Sequence, residues 1–300
     1  MPDITPRIIA IKPLVVPSPG REVELHVKVT SPHGGHDLPV IVFSHGNAWS
    51  MDGYEPLVDR WAAAGFVVIQ PTHLDSRRLG IGFGDPRHPS IWRTRIADLD
   101  AVLDHLVEIV VDAGLAGRVD LDRVALVGHS WGAQTVGTLL GARVLDAAGT
   151  PGEDFARPGI RGGVLIAATG TGDSLVPFAE EHLPFMRPDY STMTAPALVI
   201  AGEKDQSKMS TRGPDWFLDA YELSPSPKNL LVVPGGEHTL GGIAGEAVSE
   251  TTDPDPARVE LVADAVSAYL RDLLGTTDGA WDSLSRDLQD RHGARLERKN

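Results

Sequence analysis

Continuous apolar runs bounded by Gly, Pro or Asp recur along this chain: Pro39-Val-Ile-Val-Phe43, Phe66-Val-Val-Ile69, Val124-Ala-Leu-Val127, Gly163-Val-Leu-Ile-Ala167, Ala197-Leu-Val-Ile-Ala201 and Leu230-Leu-Val-Val233. Each has strand length and lacks the polar residue at every second place that a one-sided strand would show. Both faces must therefore be covered, as in a parallel sheet. Between the runs lie helical patterns: Tyr54 to Ala64; Ile96, Leu99, Leu103, Leu106 and Val110 on one face; Thr135 to Leu145; Trp216 to Leu223; and Val259 to Leu274. Strand alternating with helix specifies an α/β, doubly wound, mostly parallel sheet. Residues 7–17 and 21–30 flank Pro17-Ser-Pro-Gly20, and Glu22-Val-Glu-Leu-His-Val-Lys-Val29 alternates polar with apolar, so an antiparallel hairpin is expected at the N-terminal edge.

A length of 300 residues and 42% hydrophobic content suit a single α/β domain over 1–300. Within it, 169–194 reads as a short lid-like insert and 276–300 as a C-terminal tail helix on the surface. The formal charge of −14 argues against nucleic acid and anionic lipid as partners, because long-range repulsion opposes both. With no cysteine, disulfides, thiol nucleophiles and thiolate metal sites are excluded. No apolar run is long enough for an integral membrane segment. Met1-Pro-Asp-Ile-Thr-Pro-Arg7 lacks a basic-then-apolar signal region, so the default expectation is cytoplasmic, with a trimmed export signal left open.

The run Val124–Val127 leads into Gly128-His-Ser-Trp-Gly132 and then into a helical pattern. Ser130 thus sits on a sharp strand-to-helix turn that presents its hydroxyl above the sheet. A serine hydroxyl is a weak nucleophile at neutral pH and needs a base held by a carboxylate. In an open α/β sheet such groups sit on loops after strand carboxyl ends. The strand at 197–201 is followed by Gly202-Glu-Lys-Asp205, and the strand at 230–233 by Pro234-Gly-Gly-Glu-His238. Alone, either residue would read as an ordinary turn aspartate or loop histidine. Together and in this order, Ser130, Asp205 and His238 form the expected catalytic set. Two backbone N–H groups must meet the developing oxyanion. One is expected from Trp131, the other from Asn47 in Ser44-His-Gly-Asn-Ala48, with Ala48 next in line.

These motifs, Ser44-His-Gly-Asn47, Gly128-His-Ser-Trp-Gly132, Gly202-Glu-Lys-Asp205 and Gly236-Glu-His238, together resemble the α/β-hydrolase superfamily over residues 7–275. Val42-Phe-Ser-His-Gly-Asn47, Ala63-Ala-Gly-Phe-Val-Val-Ile-Gln-Pro-Thr-His-Leu-Asp-Ser76 and Trp92-Arg-x-Arg-x-x-Asp98 look like its chlorophyllase, platelet-activating-factor acetylhydrolase and dienelactone-hydrolase-like branch. One feature departs from the acetylhydrolase pattern. No acid follows the strand at 163–167, where Asp173 is the nearest carboxylate, so Asp205 is the expected acid. The resemblance implies ester hydrolysis through an acyl-serine intermediate and a small-molecule ester substrate, with no cofactor and no metal. A lipase, polyester hydrolase or thioesterase would use the same set, and a non-catalytic ligand-binding protein of the same fold is the alternative outside enzymology.

Loops at the strand ends should line the pocket. The segment Thr72 to Ser90, with glycine-rich Leu79-Gly-Ile-Gly-Phe-Gly84, reads either as a mobile wall beside the pocket or as a plain connection, and Leu175, Val176, Phe178, Leu183, Pro184, Phe185 and Met186 are expected to form a partial lid. Trp49, Phe83, Phe178 and Leu240 are the expected substrate contacts. His33 and His36 lack further ligands nearby and are not expected to bind metal. Arg93, Arg95 and Asp98 read as surface or helix-start ion pairs. Oligomeric state is not legible in the sequence.

Overall fold

The structure is a computed structural model that describes residues 7–245 and 249–300. Its elements run β1 (Ile8–Val16), β2 (Leu25–Pro32), β3 (Leu38–Ser44), α1 (Glu55–Ala63), β4 (Val67–Pro71), α2 (Ile91–Asp104), α3 (Leu106–Asp112), β5 (Val119–His129), α4 (Trp131–Leu139), β6 (Arg143–Val144), β7 (Gly163–Ile166), α5 (Pro177–His182), β8 (Pro188–Asp189), β9 (Ala197–Gly202), α6 (Asp219–Glu222), β10 (Lys228–Val233), α7 (Pro256–Leu273), α8 (Ala280–His292) and β11 (Arg295–Lys299). The main sheet has the order β1-β2-β4-β3-β5-β7-β9-β10-β11. From β4 to β10 every neighbouring pair is parallel. The antiparallel pairs are β1 with β2, β2 with β4, and β10 with β11.

The lack of polar alternation in the strands is explained by two cores, one on each face. Val40, Val42, Val67, Ile69, Leu126, Leu165 and Val199 pack beneath α2, α3 and α4. Their neighbours along the strands, Ile41, Phe43, Val68, Val127, Val164 and Ile200, pack beneath α1 and α7 on the opposite face. Successive side chains of a strand point to opposite sides, so each strand serves both layers. Each fully buried Val, Leu or Ile contributes roughly 1.5–3 kcal/mol. The N-terminal hairpin forms as expected, with Ile8 opposite Pro32 and Val16 opposite Leu25.

The carboxyl-terminal region differs from the expected tail helix. Helix α8 ends at His292, and Arg295–Lys299 adds a strand that pairs Lys228 with Lys299 and Val232 with Arg295. Trp281 is buried against Tyr269, and its Nε1–H donates to Asn229 Oδ1 at 3.0 Å. The pairing covers an edge of β10 that would otherwise be open. The helical face expected over 96–110 is divided at His105 into α2 and α3, and Trp216–Leu223 is a 3₁₀ turn over Pro214–Leu218 followed by the short α6. No helix among the described residues is long and apolar enough to cross a membrane.

Candidate active site

Strand β5 delivers Ser130 and α4 begins at the next residue, so the serine occupies the turn itself. Its backbone lies at φ 56° and ψ −120°, a conformation costly for a residue with a side chain. The turn persists because glycines let the chain close tightly around it. A Cβ on Gly128 would stand 2.2 Å from the Gly132 carbonyl oxygen, and a Cβ on Gly132 only 2.0 Å from that of Ser44. Helix α4 is thereby seated directly on the end of β3. Gly132→Ala should cost about 3 kcal/mol, the upper range of core overpacking, because both clashing partners are backbone. A urea unfolding midpoint equal to that of the parent chain would contradict this close approach.

Ser130, His238 and Asp205 are brought into one hydrogen-bonded line. Ser130 Oγ lies 3.0 Å from His238 Nε2, and His238 Nδ1 lies 3.1 and 3.0 Å from the two Asp205 oxygens. Because a carboxylate only accepts, Nδ1 carries the proton and Nε2 is free to accept from the serine. Asp205 is fully buried, whereas the His238 side chain is 40% exposed on the cavity side. Partial burial disfavours the imidazolium, but the Asp205 charge and its hydrogen bond outweigh this and raise the His238 pKa. The loop bearing His238 is held by Asp253, which accepts from the N–H groups of Glu237 at 2.9 Å and Gly241 at 3.1 Å. The acid loop is joined to it where Lys204 N–H donates to the Gly236 carbonyl at 2.8 Å.

Asn47 and Trp131 both line the cavity around Ser130. Trp131 offers the first N–H of α4, which has no intrahelical acceptor. The orientation of Asn47 N–H follows from the peptide that contains it. Gly46 carbonyl accepts from His45 Nδ1 at 2.7 Å and from Trp49 N–H at 3.2 Å. In a trans peptide the N–H points opposite to the C=O, so holding the Gly46 oxygen holds Asn47 N–H as well. His45 can donate through Nδ1 because its Nε2 accepts the His73 N–H at 3.0 Å, and burial lowers its pKa to about 4, keeping it neutral.

Tyr54 and His129 join these parts, and neither was singled out from the sequence. Gly46 N–H donates to Tyr54 Oη at 3.0 Å, and Tyr54 Oη lies 2.8 Å from His129 Nδ1. His129 Nε2 lies 2.9 Å from the His238 carbonyl oxygen. A carbonyl cannot donate, so Nε2 carries the proton and Tyr54 donates to Nδ1. Burial, then the neighbouring His238, lower the His129 pKa to about 3, so it stays neutral. The loop after β3, the serine turn and the histidine loop are thus linked by one directional chain. His129 lies between two motif residues, so its position was visible in sequence; its partners were not.

The cavity above Ser130 has a volume of about 290 Å³, with Trp49, Phe83, Leu183, Met186, Trp216 and Phe217 among its walls. Trp49 and Phe83 line it from the loops after β3 and β4, and Leu183 and Met186 line it from the segment between β7 and β9. Two expectations require correction. Leu240 has φ 46° and no exposure; it turns under the histidine loop into the core instead of facing substrate. Phe178 is 44% exposed and does not line the cavity; its ring meets Phe83 edge-on, with centroids 5.6 Å apart, at the outer mouth. Met209, Trp216 and Phe217 were missed because nothing in a strand-to-helix pattern shows which side of the connection after β9 turns toward the serine.

The ion pairs of α2 also depart from expectation. Arg93 is exposed and pairs with Glu153 at 3.0 Å, but Arg95 and Asp98 are buried. Arg95 Nη1 donates to both Asp75 oxygens at 2.7 Å. Asp98 has Arg21 Nε at 2.9 Å and accepts from His73 Nδ1 at 2.9 Å. Burial pushes the Asp98 carboxyl up to about 7, opposed by Arg21 and then Arg95. Removing one member of such a buried pair typically costs about 3–5 kcal/mol, since the other is left uncompensated.

Among the described residues, no group of three or more His, Cys, Asp or Glu side chains is arranged to hold a metal ion. A comparison with curated proteins found no match. The model of the alpha/beta hydrolase family matches residues 41–299, a span that runs from within β3 through the last strand and takes in the loops that carry Asn47, Ser130, Asp205 and His238. With that extent of agreement and a parallel sheet carrying a serine turn at the end of its central strand, the chain belongs to the alpha/beta hydrolase family.

Proposed function

We propose that this hydrolase cleaves carboxylic esters through an acyl-serine intermediate, with Ser130 as nucleophile, His238 as general base and then acid, and Asp205 as its orienting carboxylate. The observation that carries the reading is the line Ser130 Oγ–His238 Nε2 at 3.0 Å, continued to a buried Asp205. His238 takes the hydroxyl proton as Oγ attacks the ester carbonyl. The N–H groups of Asn47 and Trp131 receive the charge that develops on the carbonyl oxygen. The imidazolium then protonates the departing alkoxide, and a water activated by the same Nε2 releases the acid.

Apolar and aromatic walls around a cavity of about 290 Å³ favour a small to medium, largely apolar ester. On p-nitrophenyl esters of increasing acyl length, turnover should peak at short chains and fall steeply beyond them, while a fluorophosphonate should label Ser130. Activity persisting to long chains would favour a lipase or polyester hydrolase. Absence of both turnover and labelling would overturn the catalytic reading and leave a ligand-binding role.

A further inference from the structure

The Arg95 guanidinium touches both segments that carry the proposed oxyanion donors. Its Nη2 donates to the His45 carbonyl and, at 3.3 Å, to Ser44 Oγ, immediately before Gly46 and Asn47. Its Nε donates to Thr135 Oγ1 at 3.2 Å, and that hydroxyl donates to the Trp131 carbonyl at 2.9 Å in the first turn of α4. The remaining nitrogen, Nη1, is fixed by the two Asp75 oxygens at 2.7 Å. Arg95 is 1% exposed and does not line the cavity above Ser130; it borders only a void of about 10 Å³ beside Trp131 and Thr135, so bulk solvent does not compete for these bonds.

A guanidinium is planar and holds its donors at fixed angles, unlike a lysine ammonium on a flexible stem. Segments gripped by Nε and by Nη2 are therefore kept at one separation. We propose that Arg95 is a positioning residue that sets the spacing between the Asn47 and Trp131 N–H groups. Asp75 anchors the fork, and Thr135 transmits it to α4. This inference rests on the ester-hydrolase reading, since a gap between two donors matters only if an oxyanion forms there.

The test compares parent chain, Arg95→Lys and Thr135→Val in p-nitrophenyl butyrate hydrolysis and in inhibition by phenylboronic acid, whose tetrahedral serine adduct puts an oxygen between the donors. In folded Arg95→Lys, kcat should fall about 100-fold with KM within about twofold, the signature of a lost oxyanion contact. Boronate affinity should weaken by a comparable factor, which a merely structural role would not produce. Thr135→Val cuts only the link to α4 and should lower kcat about 10-fold. It decides the matter if Arg95→Lys does not fold. A folded variant that keeps parental kcat, or loses it with boronate affinity unchanged, would overturn the positioning role alone. A parent chain inactive on every ester would overturn the ester-hydrolase reading, and this inference with it.

Discussion

Ser130→Ala should lower kcat on short p-nitrophenyl esters by about 10⁴- to 10⁶-fold while leaving the fold intact. Among the described residues only one side-chain hydrogen bond is lost, the 3.0 Å contact to His238, and it sits at the edge of an open cavity. Alanine has the same Cβ as serine, so the backbone at φ 56° is no more strained than before. The loss should thus appear in rate and not in melting temperature, opposite to Gly132→Ala, where the damage enters through packing. What survives should come from the oxyanion donors and from binding, since these remain without the nucleophile. If a purified Ser130→Ala chain kept a substantial fraction of parental turnover, the attacking group would have to lie elsewhere.

The sheet and this serine were legible because their physics is local. A strand buried on both faces must be apolar throughout, and a serine on a tight turn must have small neighbours. The order of Ser130, Asp205 and His238 was legible for a related reason: each follows a strand that can be recognised by itself. What was not legible depends on contacts between distant segments. Arg95 and Asp98 read as surface charges because charged side chains are almost never buried unless paired. Their partners, Asp75, Arg21 and His73, lie in segments that only the fold brings together.

Arg295-Leu-Glu-Arg-Lys299 carries too much charge to announce a strand. It pairs because β10 leaves one edge of its backbone open, a property of the sheet and not of the tail. Leu240 shows the converse error. It follows His238 closely and is apolar, but the left-handed backbone at that residue turns it beneath the loop. Phe178 reads as a substrate contact from its apolar character within 169–194, but the short helix α5 presents it outward against Phe83. Neighbourhood in sequence located the loops correctly but not the direction in which their side chains point.

Asp205→Asn should lower kcat by about 10⁴-fold and also move the pH profile, two effects with one origin. In the parent chain His238 must be neutral to accept the Ser130 proton, so kcat/KM falls as pH drops through the His238 pKa. That pKa lies above the ordinary imidazole value, because the Asp205 charge and hydrogen bond outweigh the effect of burial. Replacing the carboxylate by an amide removes the charge and the hydrogen bond that raise it and leaves the burial that lowers it. The acid limb of the residual activity should therefore shift to lower pH, even as the rate collapses. The rate falls because an amide can donate to Nδ1, which favours the tautomer with the proton on Nε2 and denies Ser130 its acceptor. Measuring kcat/KM between about pH 4 and 9 for both chains separates this from simple disruption, which would lower the curve without displacing its acid limb. An unshifted limb in a folded Asp205→Asn chain would mean that another group sets the protonation of His238, and that the buried carboxylate serves only to hold its loop.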